Sequence, residues 1–308
     1  MVMAARCGAA RPTPPRASRC WSRHSATSSE VYTHGHHPAV VSQHAARTAA
    51  SSAAFLLPSL ETGSRLLDVG CGPGSITVGL ARHVGPTGHV CGIDVADAVV
   101  LQANAAIAAA ELPPSQCLAR VASAYGLASA FEPNSFDCAY AHQTLQHLSD
   151  PVGALAAMIS VVRPGGLIAL RDADYSSMLG MPTSSGLNEW RRIYRAVCYR
   201  NGAEPDAGRH LVRWVRGAGV PMRNINYTAS VVVYSPADEE FRRAWGIAWA
   251  ARSIESAFAQ QARDYGLASR AELESVAQAW RVWADDRESI FYYVNGEVLA
   301  RLPAEDRA

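Results

Sequence analysis

Leu66-Leu67-Asp68-Val69-Gly70-Cys71-Gly72-Pro73-Gly74 is the stretch that decides the fold. The run RLLDV over 65–69 is short, apolar and bounded by glycines, which reads as a buried parallel strand. Residues 75–84 follow as a helix, with Ser75 near its start and Gly85-Pro86 as its stop. Glycines are needed where a chain turns tightly from strand to helix and a ligand must approach the backbone. A bulky side chain at Gly70 or Gly72 would occupy that ligand's space. In open α/β sheets the ligand lies outside the carboxyl ends of the strands, and the acid ending the next strand can reach a ribose. Asp94 stands 20 residues beyond Gly74. Its carboxylate is a natural clamp for a vicinal diol, because it can accept from both hydroxyls.

Outward from this loop, strands are expected at 89–95, 117–122, 136–141 and 167–171. Helices are expected at 97–110, with Asp97 as cap and Pro113-Pro114 closing, and at 151–162, ended by Arg163-Pro164-Gly165-Gly166. This alternation predicts an α/β fold, a Rossmann-like, mostly parallel sheet with helices on both faces. Right-handed crossovers leave few topologies for it. The second half reads as helices at 187–200 and 209–217, a β-branched strand at 225–234, two or three helices over 237–286, and a last strand at 291–299. Residues 31–60 open with YTHGHH and continue as an Ala-rich stretch expected to be helical.

Composition narrows the function. The 308 residues are 49% hydrophobic, which suits a sizeable core and excludes disorder of the whole chain. A formal net charge of +1 offers no global field for nucleic acid or an anionic membrane. No apolar run is long enough to span a bilayer. All 28 basic side chains are arginine, so no lysine can act as base or Schiff-base nucleophile. The seven cysteines are odd in number and lack CxxC spacing, which predicts reduced, buried thiols rather than a disulfide framework or a zinc knuckle. Residues 1–30 carry Arg6, Arg11, Arg16, Arg19 and Arg23 against the single acid Glu30. That pattern fits an organellar transit segment, although Pro12, Pro14 and Pro15 interrupt any amphipathic helix, and an unstructured extension fits as well. The expected location is cytoplasmic, or mitochondrial or plastid if residues 1–30 are a transit peptide.

A nicotinamide site competes for the glycine loop, but it wants GxGxxG with a pyrophosphate on the helix N-terminus. Here the pattern is GxGxG, and Asp68 precedes it on the strand. An acid so placed repels a pyrophosphate and tolerates a zwitterion or cation, which favours S-adenosyl-L-methionine with its ammonium and sulfonium. Taken together, LLDVGCGPG, Asp94, FDCAYAHQTLQHLSDP at the fourth strand and RPGG before the fifth resemble the class I S-adenosylmethionine-dependent methyltransferases, most closely the UbiE-like group. The resemblance spans about residues 31–235. It implies a seven-stranded sheet whose last strand, 291–299, inserts antiparallel between the fifth and sixth, with 237–286 as a helical lid inserted before it. The expected organisation is an N-terminal extension (1–30), a helical cap (31–60), a Rossmann-like core (61–235), the lid and the last strand.

The resemblance also implies roles. Asp68, Gly70, Gly72 and Gly74 would bind the methionine part of the cofactor and Asp94 the ribose, with Cys71 and Val95 also among the cofactor-binding residues. Where an acid often binds the adenine amino group, this chain has Ser123 followed by Ala124 and Tyr125. His142 and Gln143 would lie near the methyl group, and Tyr32 and His36 would close over the cofactor. If the acceptor must lose a proton, the possible bases are His142, His147, Asp172, Asp174 and Tyr175, of which His142, Asp174 and Tyr175 are taken as catalytic. Arg171-Asp172-Ala173-Asp174-Tyr175 is expected to contact the acceptor, or to form an internal Arg–Asp pair. Tyr32, His34, His36 and His37 lack an evident set of further ligands, so no metal is expected. Trp245, Trp249, Trp280 and Trp283 pair at i+4 and i+3, which gives either core packing or an aromatic acceptor pocket under the lid. The expected activity is methyl transfer to a small, hydrophobic or aromatic acceptor, with no nucleic acid and no integral membrane segment. A non-catalytic binder of the same cofactor and an NAD-dependent oxidoreductase are the alternatives.

Overall fold

The computed structural model describes Thr33 and residues 44–304. Tyr32, His34, His36, His37 and the arginine-rich start lie outside the described residues. Seven strands form one sheet in the order β3-β2-β1-β4-β5-β7-β6. They are β1 (Arg65–Val69), β2 (His89–Asp94), β3 (Cys117–Val121), β4 (Phe136–His142), β5 (Val162–Met181), β6 (Ile225–Tyr234) and β7 (Ile290–Arg301). β7 runs antiparallel to both β5 and β6, and the remaining pairings are parallel. The chain therefore reverses its lateral direction beside β1, and the carboxyl ends of β1, β2 and β4 open onto one crevice.

The helices are α1 (Ala49–Ser52), α2 (Ser75–Val84), α3 (Asp97–Ala109), α4 (Leu127–Ala130), α5 (Pro151–Val161), α6 (Ser185–Arg200), α7 (Leu211–Gly217), α8 (Glu239–Glu255), α9 (Ala257–Asp264) and α10 (Arg270–Asp285). β1, with Leu66, Leu67 and Val69 buried, sits at the centre between two apolar layers. Asp150 caps α5 through its Oδ1 on the Gly153 N–H at 2.8 Å, with Pro151 in the first turn. Asp97 is the first residue of α3 rather than its cap, since Ala96 holds the cap position and donates its N–H to Asp94 Oδ1 at 3.1 Å.

Three expectations need correction. Residues 44–60 are not one helix. They hold only short turns, including α1 and the 3-10 turn Leu57–Ser59, where Thr48 and Ser51 cap and Pro58 interrupts. Too few residues separate these signals for a helix to propagate. The fifth strand is far longer than 167–171. It continues through Asp174, slips register, and resumes at Leu179–Met181 against Tyr292–Ile290 of β7. Its polar residues look like a loop in sequence, but β7 supplies the ladder that makes them strand. Asp174 and Tyr175 therefore lie in β5 and not in a loop beyond it.

The segment expected as a lid forms α8, α9 and α10, which pack with α6 against the extended ends of β5 and β7 in one apolar cluster. Trp249, Trp280 and Trp283 are buried there, Trp190 of α6 meeting Trp249 edge-on at 4.6 Å and Trp280 at 5.0 Å. Of the two readings of the tryptophan pairs, these three follow core packing, and Trp245 stacks on Tyr234 at 4.3 Å. Among the described residues five cysteines, Cys71, Cys91, Cys117, Cys138 and Cys198, are free and buried, and no helix is long and apolar enough to cross a membrane.

Candidate active site

A cleft opens above the carboxyl ends of β1, β2 and β4. Asp68, Gly70, Cys71, Gly72, Asp94, Val95, Ser123, Ala124, His142 and Gln143 all line it. Gly74 does not. It stands at the left-handed start of α2 (φ +84°), and a Cβ there would meet Ala103 Cα at 2.9 Å, so its need for glycine is helix packing. Gly70 and Gly72 are also left-handed, at φ +73° and +55°, and answer to different causes. A Cβ on Gly70 would strike Thr144 Oγ1 at 2.3 Å, whereas a Cβ on Gly72 would enter open space in the cleft. Only Gly72 is kept bare for room rather than for a neighbouring side chain.

Two carboxylates face this space. Asp68 is buried and accepts from Thr77 Oγ1 at 2.6 Å. Burial, with a smaller contribution from Asp94, lifts its pKa to about 6 against the opposing Thr77 bond. Asp94 accepts from Gly72 N–H at 3.2 Å and Ala96 N–H at 3.1 Å, one on each oxygen. A carboxylate has about four lone-pair positions, so both oxygens can still accept from a diol. Neither acid has a basic partner among the described residues. Beyond Asp94, Val95 is 69% exposed, an apolar surface at the cleft edge. The Ser123 hydroxyl accepts from Tyr125 N–H at 3.3 Å, and Tyr125 closes that end.

The opposite end is built by the turn after β4. Gln143 is left-handed (φ +50°), uncommon for a side chain of its type. Arg47 donates to Gln143 Oε1 at 2.6 Å, and Gln143 Nε2 donates to Asn295 Oδ1 at 3.3 Å. Arg47 can only donate, so it fixes which way the Gln143 amide points. Thr144 Oγ1 donates to Val69 O at 3.1 Å and ties this turn to the end of β1. His142 is buried beside Arg47, Arg171 and His44, and desolvation first, then these neighbours, holds its pKa well below the usual histidine range. Its Nε2 accepts from Arg171 Nη1 at 2.8 Å. His147, also on the cleft, is lowered to about 3 chiefly by burial.

The remaining expected acceptor contacts lie elsewhere. Both Asp174 oxygens accept from Arg209, each at 2.7 Å, and Asp174 does not line the cleft. The expected internal Arg–Asp pair thus exists, but with Arg209 rather than Arg171. Tyr175 is in the aromatic core, stacked on Tyr194 at 4.5 Å, and burial raises its hydroxyl pKa further. Asp172 is fully buried, accepts from Gln146 N–H at 3.2 Å, and is pushed up to about 8 by burial, so it is a neutral acid rather than a base at neutral pH. His44, Arg47, Gln102 and Thr144 line the cleft without having been singled out from sequence. Arg47 had one available signal: apart from histidines it is the sole charged residue between 31 and 60.

The methyltransferase domain family matches residues 60–214 of the chain. An uncharacterized methyltransferase of Schizosaccharomyces pombe is 32% identical over 280 residues, covering 87% of this chain and 95% of that protein. A ubiquinone biosynthesis O-methyltransferase of Alkalilimnicola ehrlichii is 27% identical over 194 residues, 58% of this chain and 68% of that protein. Among solved structures, a candidate methyltransferase of Bacillus halodurans C-125 superposes with a TM-score of 0.51 at 15% identity, covering 86% of this chain and 98% of its own, a likeness of fold.

Proposed function

This chain belongs to the class I S-adenosylmethionine-dependent methyltransferases, and on that footing we propose that the cleft binds the cofactor along β1, β2 and β3 and passes its methyl group to a small hydrophobic or aromatic acceptor at the β4 end. The observation that carries the placement is the pair Asp68 and Asp94 facing the cleft without a basic partner among the described residues, beside the open space at Gly72. A cation fits that setting and a pyrophosphate does not, which disfavours the nicotinamide alternative.

In this reading Asp68 and the backbone of Gly70, Cys71 and Gly72 hold the methionine end. Arg47, whose guanidinium spends one donor on Gln143, is placed to take the carboxylate. Asp94, oriented by two backbone N–H groups, accepts the ribose hydroxyls, and Val95, Ser123 and Ala124 flank the base. The bound cofactor supplies an electrophilic methyl on a sulfonium. What the chain then contributes is alignment, because an in-line displacement gains most of its rate from holding the reacting atoms close and in register. Gln143, locked between Arg47 and Asn295, and His142, locked by Arg171, are rigid walls for that purpose. The small acceptor is supported by the apolar lid beside this end of the sheet and by the near-zero net charge. Five buried free thiols suit a reducing compartment, so the cytoplasm is the proposed location.

Calorimetric titration with S-adenosylmethionine and S-adenosylhomocysteine tests the reading, with Asp94→Ala as control. Micromolar binding, about −8 kcal/mol, that is lost in the variant is the expected result. Absence of heat and of thermal shift with either ligand would overturn it. Binding with no methyl transferred to any small acceptor would favour the non-catalytic alternative.

A further inference from the structure

We propose that Arg171 is a positioning residue that locks His142 as a hydrogen-bond donor toward the cleft, so that the site takes an acceptor whose reacting atom is already unprotonated and can accept from that donor. The role toward the acceptor rests on the cleft being the methyl-transfer site.

The geometry is one of donors and lone pairs. A guanidinium carries only N–H donors. His142 Nε2, at 2.8 Å from Arg171 Nη1, must therefore present its lone pair to arginine. The ring proton of the neutral imidazole is then on Nδ1. Among the described residues Nδ1 has no protein partner, and His142 is one of the residues lining the cleft. The lone pair that a general base would use is consumed behind the site, and an N–H is what remains for the ligand.

Arg171 is itself held without freedom. Its Nε donates to Glu297 Oε1 at 3.1 Å and to Ser230 Oγ at 3.2 Å, and Nη2 donates to the same Ser230 oxygen at 3.2 Å. Ser230 Oγ donates to Glu297 Oε1 at 2.6 Å, and Thr228 Oγ1 donates to Glu297 Oε2 at 3.1 Å. Arg171 and Glu297 are directly paired across β5 and β7, and Thr228 faces Glu297 from β6. Three adjacent strands thus fix one guanidinium, and its free corner fixes the histidine. The groups facing His142 are Arg171 from β5, Arg47 and His44 from the segment before α1, and Tyr140 from its own strand, with Glu297 behind the arginine. Arg171 and Arg47 repel a proton on the ring, which agrees with its lowered basicity.

The other expected bases give no substitute: Asp174 and Tyr175 are off the cleft, Asp172 is buried away from it, and the Nε2 lone pair of His147 already accepts from Gln146 Nε2 at 3.0 Å. Among the described residues, none of the expected bases is then placed to take a proton from an acceptor that arrives protonated. One that brings its own lone pair at the working pH needs only to be aligned, and the His142 N–H can donate to an oxygen of the acceptor, which keeps a second lone pair for attack.

Nitrogen-15 NMR of the imidazole rings in the full chain tests this without knowing the acceptor. The His142 signals are assigned by their loss in His142→Asn. A protonated Nδ1 and bare Nε2, unchanged from pH 5.5 to 8, are expected. A protonated Nε2, or a ring that becomes cationic in that range, would overturn the proposal. Arg171→Met alone strands Glu297, so the second variant is Arg171→Met/Glu297→Gln, which removes both charges together. There the His142 ring should become mixed in tautomer, while burial and Arg47 still hold its basicity low. An unchanged tautomer in the folded double variant would remove Arg171 from the role. The lock is separable from the cofactor reading: a locked ring in a chain that binds no S-adenosylhomocysteine refutes the proposed function and the acceptor role, whereas cofactor binding beside a free ring refutes only the lock.

Discussion

Asp68→Asn separates a cofactor acid from a structural one because it should move stability and affinity in opposite directions. Burial raises the Asp68 pKa from 3.8 to about 6. At 1.36 kcal/mol per pH unit, the ionised side chain costs the unliganded protein about 3 kcal/mol. The folded state holds its proton more tightly than the unfolded chain does, so stability is greatest below pH 4 and falls as pH rises through about 6. Above that the contribution is flat. The variant lacks this fall. It also leaves an amide hydrogen unsatisfied, a penalty of roughly 1–3 kcal/mol, but that penalty does not change with pH. The comparison to make is therefore the stability difference between variant and wild type at pH 4 and at pH 7, from denaturant curves. It should shift by about 3 kcal/mol in favour of the variant.

Affinity moves the other way. A charge-assisted hydrogen bond contributes about 1.5–3 kcal/mol, so S-adenosylmethionine should bind the variant roughly 10- to 100-fold more weakly at pH 7. In the wild type, affinity should be flat above pH 6 and fall toward tenfold per unit below it, as the carboxylate takes up its proton. The variant should show no such slope between pH 5 and 7. A flat wild-type profile over that range refutes the reasoning, and so does a variant that keeps the slope.

Gly70→Ala and Gly72→Ala should fail differently: the first lowers Tm because its Cβ meets Thr144, with partial recovery in Gly70→Ala/Thr144→Ala, while the second costs about 1–2 kcal/mol of backbone strain and chiefly weakens S-adenosylhomocysteine binding in calorimetry. Arg171→Met should lose about 3–5 kcal/mol in urea unfolding by stranding the buried Glu297, and Arg171→Met/Glu297→Gln should recover most of it. Asp174→Asn should lower stability by about 1 kcal/mol, since its partner Arg209 is half exposed, and leave cofactor affinity unchanged by calorimetry. Trp280→Ala should cost about 3–5 kcal/mol in the same unfolding assay.

What was legible in the sequence was local. β1, its glycine turn and Asp94 fall within thirty residues, and each part announces its chemistry: an apolar run, a bend that needs φ > 0, an acid at a strand end. The order of elements from 65 to 161 is legible for the same reason, because periodicity and caps are short-range signals. Even so, the three glycines look alike as letters. Their reasons differ only once Thr144 and Ala103 are placed against Gly70 and Gly74, and nothing near 70–74 in sequence announces either neighbour.

The β4 end of the cleft is legible in composition but not in arrangement, because it is assembled from strands far apart in the chain. Arg171-Asp172-Ala173-Asp174-Tyr175 reads as a polar loop until β7 is laid beside it, over a hundred residues later. Strand alternation then sends Arg171 toward His142 and Asp172 to the opposite face. Asp174 goes to Arg209 and Tyr175 into the tryptophan core, which an unpaired loop would not have enforced. The same pairing sets Glu297 opposite Arg171 and Asn295 opposite Ala173, within reach of Gln143. Inserting β7 antiparallel beside β5 thus does two things at once. It joins β5 to β6 through a strand that follows residues 237–286 in sequence, so that helical segment and the cleft share one foundation. It also delivers the buried carboxylate that lets an arginine be buried behind the cleft, and that arginine is what decides which nitrogen of His142 faces the ligand.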